Sequence, residues 1–347
     1  MSKKTDCFSY VMLILGSTIG AGLASGQEIV LFFAQYGYIS LIFLFIFVLL
    51  FSFSILTLFK FGKIISQQKD FEKTIKHQVF FDSCGNIIFL IFSATMVAGI
   101  ESLFNQLFFY TKFHLWAIIS LVLCAFIILR GFKFILKLNT FLVPVIIVAT
   151  IFVCALSFSP TNEHSPLTIN TDLPNVIFLL SSTILYSSCN IMISNKVLIK
   201  VGTEIKKETA KKVAIISSIT LALIIALIII ALLSNDNSLL FAELPLVYLA
   251  FTINTTVGYI YSGIIFICII TTLLTTFFSF NENLRKKISN KVFSTFVACI
   301  LIFSLSLFGF ENIVRYSYPI IGAIGIFMIF SIKNRLNYEN CSCPVLE

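Results

Sequence analysis

The sequence predicts an all-α integral membrane protein of about ten transmembrane helices, built as two five-span repeats of opposite orientation with interruptions in the first and sixth spans. Three observations predict it. The 347-residue chain is 58% hydrophobic and 12% charged, with 39 phenylalanines, more apolar material than a water-soluble core of that size holds. Apolar stretches of about the 20 residues that a spanning helix requires recur ten times between short polar connectors. Small and polar residues interrupt the first and sixth of these stretches, and an odd number of spans per repeat inverts the second copy, the arrangement in which broken helices mark a transport site.

The expected spans are 8–36, 38–60, 83–109, 115–130, 138–158, 174–200, 211–234, 256–281, 292–309 and 313–332. They form one polytopic domain, 1–335, with repeat 1 at about 8–158, repeat 2 at about 174–332 and a short tail at 336–347. The first span contains "GSTIGAGLASGQEIVLFF", residues 16–33. Glycines at 16, 20, 22 and 26 fit the small-xxx-small spacing of closely packed membrane helices, but packing does not explain Gln27 and Glu28. Ser25-Gly26-Gln27-Glu28 has the S-x-x-E form of a capping box, as expected of a helix that restarts at mid-depth. A lipid-embedded backbone can leave the helix only where protein or a water-filled cavity satisfies its polar groups. The interruption therefore predicts a cavity, with Ser25, Gln27 and Glu28 as restart or gating residues.

The second span, "LIFLFIFVLLFSFSILTLF", is uninterrupted. In the third, Ala94, Ala98, Glu101 and Asn105 make a small and polar stripe at helical spacing. An acid inside a span costs roughly 2.5–3.5 kcal/mol on insertion scales and is a functional candidate by default, so Glu101 stands as a proton-coupling or substrate residue, with structural pairing the alternative. The fourth and fifth read as plain spans. In the sixth, "YSSCN" marks the expected break, where Tyr186, Ser187, Ser188 and Asn190 would meet substrate. In the eighth, Thr272, Thr275 and Thr276 share a face at i, i+3, i+4, either as hard oxygen ligands for sodium or bonded back to their own helix. The ninth and tenth are plain.

The net charge of +8 invokes no nucleic acid. With the N-terminus inside, all but two of the 24 basic residues, Lys112 and Arg315, fall on the cytoplasmic side, as the positive-inside rule requires. Both termini are then cytoplasmic. The start of the chain has the make-up of a secretory signal, but "EIVLFF" resumes the apolar run at once, so cleavage is not expected. Nine cysteines occur without a disulfide framework, and the Cys341-x-Cys343 pair offers two ligands in a tail expected to be disordered. The three histidines fall in predicted loops and no catalytic cluster emerges, so no enzyme is expected.

"IGAGLASGQEIVLFFAQYG", residues 19–37, closely resembles the first span of the small bacterial YkvI-type membrane proteins, whose usual form is IGAGFASGQE; Leu23 departs from it. The resemblance implies the LeuT-like five-plus-five fold of the amino acid-polyamine-cation superfamily, in a bacterial cytoplasmic membrane. It also implies a central site between spans 1, 3, 6 and 8. There the turn from Ile19 to Leu23, with Ser17, Gly20, Ala21 and Gly22, presents backbone amides to a substrate carboxylate. A half-helix N-terminus suits an anion. A sodium ion, the one cofactor implied, would sit between the carbonyls of Gly16 and Ile19 and the threonines of span 8. The expected activity is ion-coupled transport of a small, amino acid-like solute by alternating access, driven by sodium or a proton. The alternative is a nutrient-sensing receptor subunit of the spore-germination type. The lipid bilayer and a small molecule are the expected partners, and the oligomeric state is left open.

Overall fold

The computed structural model describes residues 7–67, 78–108, 114–130, 135–158 and 173–342. His77, His164 and Cys343 lie outside them. Helices cover all ten expected segments. The first is divided into α1 (Cys7–Thr18), α2 (Ala21–Ser25) and α3 (Gln27–Phe32), followed by a 3-10 turn, Ala34–Ile39. Then come α4 (Ser40–Gln67), α5 (Gln78–Leu107), α6 (Leu115–Arg130), α7 (Ile135–Leu156), α8 (Leu173–Glu204) and α9 (Lys207–Leu233). A second 3-10 turn, Asn237–Phe241, leads to α10 (Pro245–Ile253), which the hydropathy pattern did not predict, and α11 (Thr255–Arg285), α12 (Lys291–Ser306) and α13 (Phe310–Ser342) complete the chain. Among the described residues six stretches are long and apolar enough to cross a membrane, in α4, α5, α8, α9, α11 and α13, and four shorter apolar helices accompany them. Residues 336–342, expected as tail, continue α13 as helix.

Helix α4 shows why this is a membrane fold. Phe47, Phe51, Ile55 and Leu58 are fully buried on one face, while Ile42, Phe45 and Leu49 on another are 71%, 69% and 55% exposed. A helix apolar all round is at home in lipid, not in water. Its inner face packs along α8 and α9, and α8 in turn packs along α13. Glycines set these approaches. A Cβ on Gly62 would lie 2.1 Å from the Ile199 carbonyl oxygen, and one on Gly202 would lie 2.6 Å from that of Phe59. On the other side of α8, Cβ atoms on Gly322 and Gly325 would lie 2.4 and 2.5 Å from the oxygens of Leu185 and Ser188. Such close backbone contact is how membrane helices adhere without a hydrophobic driving force.

The expected break in the sixth span is absent: α8 runs from Leu173 to Glu204 without interruption. Of the polar side chains that suggested it, Asn190 bonds along its own helix and Tyr186 reaches across to Glu28. Asn190 Nδ2 donates to the Tyr186 carbonyl at 3.0 Å and Ser194 Oγ to the Asn190 carbonyl at 2.6 Å. No glycine or proline lies between Asn175 and Val201, so nothing at "YSSCN" forces the backbone out of helix, and the α13 glycines cover it.

Gly62→Ala inserts a methyl group against backbone and is expected to destabilise by about 1–3 kcal/mol. Gly263→Ala, where a Cβ meets open space, is expected to be neutral or to stabilise by up to about 1 kcal/mol. Thermal unfolding in detergent checks the opposite signs.

Candidate functional site

The first span is interrupted twice. Helix α1 closes with Ser17 and Thr18 hydroxyls donating to the Ile14 and Leu15 carbonyls at 2.8 and 3.1 Å. Gly20 is then extended (φ −110°, ψ −173°), and the helix resumes with Ala24 N–H donating to the Gly20 carbonyl at 3.1 Å. The amides of Ala21, Gly22 and Leu23 form the first turn of the resumed helix, where an α-helix has no intrahelical acceptor to offer. The second interruption is Gly26, left-handed at φ 87°, which favours glycine.

This second turn corrects the capping-box expectation. Gly26, not Ser25, holds the N-cap position of α3, although Ser25 Oγ still accepts from Gln27 N–H at 3.4 Å at the start of that helix. Ser25 Oγ donates to the Gly22 carbonyl at 2.9 Å. Glu28 turns away from Ser25 and folds back over Gly22, where a Cβ would lie 2.0 Å from Glu28 Oε1. The hydroxyl of Tyr186 donates to Glu28 Oε2 at 3.4 Å, and Tyr318 of α13 lies beside the same carboxyl group. The left-handed Gly26 rotates α3 so that its first-turn acid faces the protein centre.

A cavity of about 1110 Å³ opens beneath this turn. Gly20, Ala21, Gly22, Glu28 and Tyr318 line one end and Asn283, Lys286 and Lys287 line the α11 terminus at the other; Phe89, Phe92, Met96 and Met192 contribute to the walls. Of the expected site residues, Gly16, Ser17, Ile19, Gly20, Ala21, Gly22, Glu28, Thr272, Thr275 and Thr276 border it. Thr275 and Thr276 hydroxyls donate back to the Thr271 and Thr272 carbonyls at 2.8 and 3.0 Å, and Thr276 accepts from Ser93 at 3.0 Å. Their donor protons are spent within the protein, while oxygen lone pairs remain.

Other expected residues lie elsewhere. Glu101 does not border the cavity. Its Oε2 accepts from Ala117 N–H at 2.8 Å, satisfying a free amide in the first turn of α6, the structural pairing weighed as its alternative. The chosen stripe of α5 was the protein-facing one, and the face at Asn86, Phe89, Phe92 and Met96 borders the cavity instead. Tyr186 is buried in an aromatic plug, with ring centroids 5.1 Å from Phe32, 5.3 Å from Phe33 and 5.8 Å from Phe47. Ser187, Ser188 and Asn190 are buried in the same helix outside the cavity lining. Gln27 is buried too, and its Oε1, like Asn190 Oδ1, has no hydrogen-bond partner among the described residues.

Beyond the plug, α10 and α11 pack against the interrupted span. A Cβ on Gly26 would lie 3.0 Å from Leu246 Cγ of α10, and Tyr261 of α11 donates to the Ala24 carbonyl at 2.6 Å. Sequence reasoning missed Tyr318, Asn86, Asn283 and α10. The Asn86 and Asn283 side chains bond each other across α5 and α11, and the i, i+3 recurrence of Asn86, Phe89 and Phe92 was the signal available.

No family model matches the chain. Two proteins of Bacillus subtilis (strain 168) are similar to it along almost their whole length. One, described as uncharacterized protein YyaD, is 26% identical over 332 residues, covering 92% of this chain and 94% of that protein. The other, described as uncharacterized membrane protein YkvI, is 24% identical over 339 residues, covering 94% and 95%. The YkvI-type resemblance carried by residues 19–37 therefore extends across the chain.

The contact between Gly22 and Glu28 is measurable. Gly22→Ala alone is expected to destabilise, but much less so in a Glu28→Ala background, with a coupling of about 1–3 kcal/mol in a double-mutant cycle. Gly20→Ala, which meets nothing within 4 Å, is expected to leave the melting temperature unchanged. Additive effects of Gly22→Ala and Glu28→Ala would show that the carboxyl does not rest on the glycine.

Proposed function

We propose that this protein is a secondary transporter of a small, amino acid-like organic solute, coupled to sodium or a proton and working by alternating access. One observation carries this reading: a deep cavity reaches the interrupted first span from the lysine-bearing side, while among the described residues aromatic rings and α10 pack over the opposite side of that span. A channel would need a continuous path; an alternating-access carrier has one side shut. The cavity exceeds the 300–1,000 Å³ typical of small-ligand pockets, in keeping with a hydrated vestibule above a smaller site.

The ten-span inverted arrangement belongs to the same proposal. Packing partners in one half have counterparts in the other: α5 meets α6 as α11 meets α12, α4 meets α8 as α9 meets α1, and α5 meets α13 as α11 meets α7. Helices α4, α5 and α6 also touch their own counterparts α9, α11 and α12. This pattern supports an inverted repeat even though the break occurs in only one half. In the proposed cycle α1 to α4 with α8 and α9 rock against the other helices. The lysine-bearing mouth faces the cytoplasm of a bacterial inner membrane and both termini lie inside. No catalytic step is part of the proposal.

Cysteine accessibility tests both orientation and conformation. In a background without native cysteines, Ser279→Cys in the cavity is expected to react with an impermeant thiol reagent from the cytoplasmic face. Exposed Ser238→Cys is expected to react from outside intact cells. Labelling of Ser238→Cys only from the cytoplasmic face would overturn the orientation. Solute that binds purified protein but is not carried into proteoliposomes would favour a receptor.

The ion is tested separately. Should sodium drive uptake, Thr276→Ala is expected to reduce sodium stimulation about tenfold or more while sodium-free binding changes little, since the hydroxyl reaches solute only through the ion. Uptake kinetics at varied sodium check this, and equal stimulation in variant and wild type would remove Thr276 from the ion site.

A further inference from the structure

Resting on the transport-cavity reading, this inference concerns the charge of the solute. Glu28 is only 6% exposed, yet it lines the cavity. The titratable groups facing it are neutral partners: Tyr186 and Cys189 on α8 and Tyr318 on α13. Tyr36 and Tyr38 lie on the turn that follows α3, and the part of α9 from Val213 to Leu233, which also packs on α3, has no titratable side chain. Among the described residues the ion pairs are Arg285–Glu282 and Arg315–Glu311, and neither involves Glu28. Of the lysines bordering the cavity, Lys196 sits over the Phe89 ring at 4.9 Å, and Lys286 and Lys287 stand at the end of α11. A buried carboxyl group with no basic side chain beside it among the described residues calls for a proton or a cation to neutralise it.

We propose that Glu28 recognises a positively charged nitrogen: its carboxyl is neutralised either by a proton or by the ammonium group of a small organic solute, and the two exclude one another. The solute sits against Gly20 and the carboxyl that covers Gly22. There is room at Gly20, where a Cβ meets nothing within 4 Å. The rings of Phe92 and Tyr318, in edge contact at 5.3 Å, offer faces to a cation. Methionines 96 and 192 supply soft apolar walls. On binding, the carboxylic acid O–H breaks, its proton leaves to water in the open mouth, and the carboxylate keeps the electron pair and accepts hydrogen bonds from the incoming ammonium. Charge is conserved: one cation enters and one proton leaves. Amines and zwitterions fit this site, whereas simple carboxylates meet the acid end-on and are rejected. The substrate carboxylate that the first-span resemblance implied thus meets a position where the protein already supplies one.

The test uses the full-length protein purified in detergent, titrated with primary and quaternary amines (putrescine, ethanolamine, choline) and with alcohols and carboxylates of matched size. Thermal stabilisation and calorimetry are the readouts. Amines alone are expected to stabilise. Their apparent affinity is expected to rise by up to about tenfold per pH unit as protons are withdrawn, with proton release seen as buffer-dependent heat. Glu28→Gln keeps the side-chain shape and is expected to melt like wild type but lose amine binding and its pH dependence. Glu28→Asp is expected to bind more weakly and keep the pH dependence. Equal stabilisation by alcohols or carboxylates, amine binding that ignores pH or survives Glu28→Gln, sodium in place of the proton at Glu28, or no amine binding at all would overturn the proposal. Normal amine binding without flux in proteoliposomes would instead overturn the transporter reading and leave Glu28 in place. Uptake of an uncharged solute independent of Glu28 would do the reverse.

Discussion

A backbone that leaves the helix inside a membrane must find partners for its amides and carbonyls within the protein, because lipid offers none. Much of this architecture can be traced to meeting that demand between Ile19 and Phe33. Tyr261 reaches from α11 to the Ala24 carbonyl, and Ser182 of α8 donates to the Phe32 carbonyl at 2.9 Å. Helix α10 lies against Gly26. Each partner comes from the second half of the chain, so the interrupted span is held by helices far away in sequence. Amides of the first turn of α2 border the cavity, where water or a solute can serve them.

The same demand explains the asymmetry between the halves. Helix α8 carries serines, a tyrosine and asparagines at mid-depth, but Asn190 and Ser194 bond to carbonyls one turn earlier, Tyr186 bonds to Glu28, and the ladder stays intact. Glycines of α13 and α4 then press against it from two sides. A helix clamped so closely makes a poor place for a substrate to reach backbone. In the transporter proposed above, recognition would fall to the first span, where glycine opens space, and to Glu28, which folds back onto it.

The helical membrane class, the positions of the ten apolar segments and the break at Gly20 were legible in the sequence, because hydropathy and glycine act locally. What failed depended on rotation about a helix axis or on distant partners. Glu28 had the spacing of a cap, but the left-handed turn at Gly26 aims it inward, and no local rule reports that rotation. Glu101 read as a proton-coupling or substrate residue, with structural pairing the alternative, and the free amide that it satisfies comes from α6, distant in sequence. Polar residues in α8 resembled a break because polarity alone does not distinguish a side chain that bonds its own helix from one that faces a cavity. Tyr318 carried no motif at all; only the packing of α13 on α3 and α5 places it beside Glu28 and Phe92.

These contacts also define what opening on the closed side would require. Tyr186 holds two roles: its ring packs among Phe32, Phe33 and Phe47, and its hydroxyl meets the Glu28 carboxyl. Moving α3 away from α8 to open that side would therefore separate the plug and strip the acid of a hydrogen-bond donor in one motion. An acid losing a donor gains most from a replacement partner, such as the nitrogen of an incoming solute. Closure in the reverse direction would return Tyr186 to Glu28 and weaken the hold on that nitrogen, since a carboxylate shared between two donors binds each less strongly. In the proposed transport cycle the plug and the binding group would thus be coupled through one tyrosine, with no need for a longer pathway between gate and site.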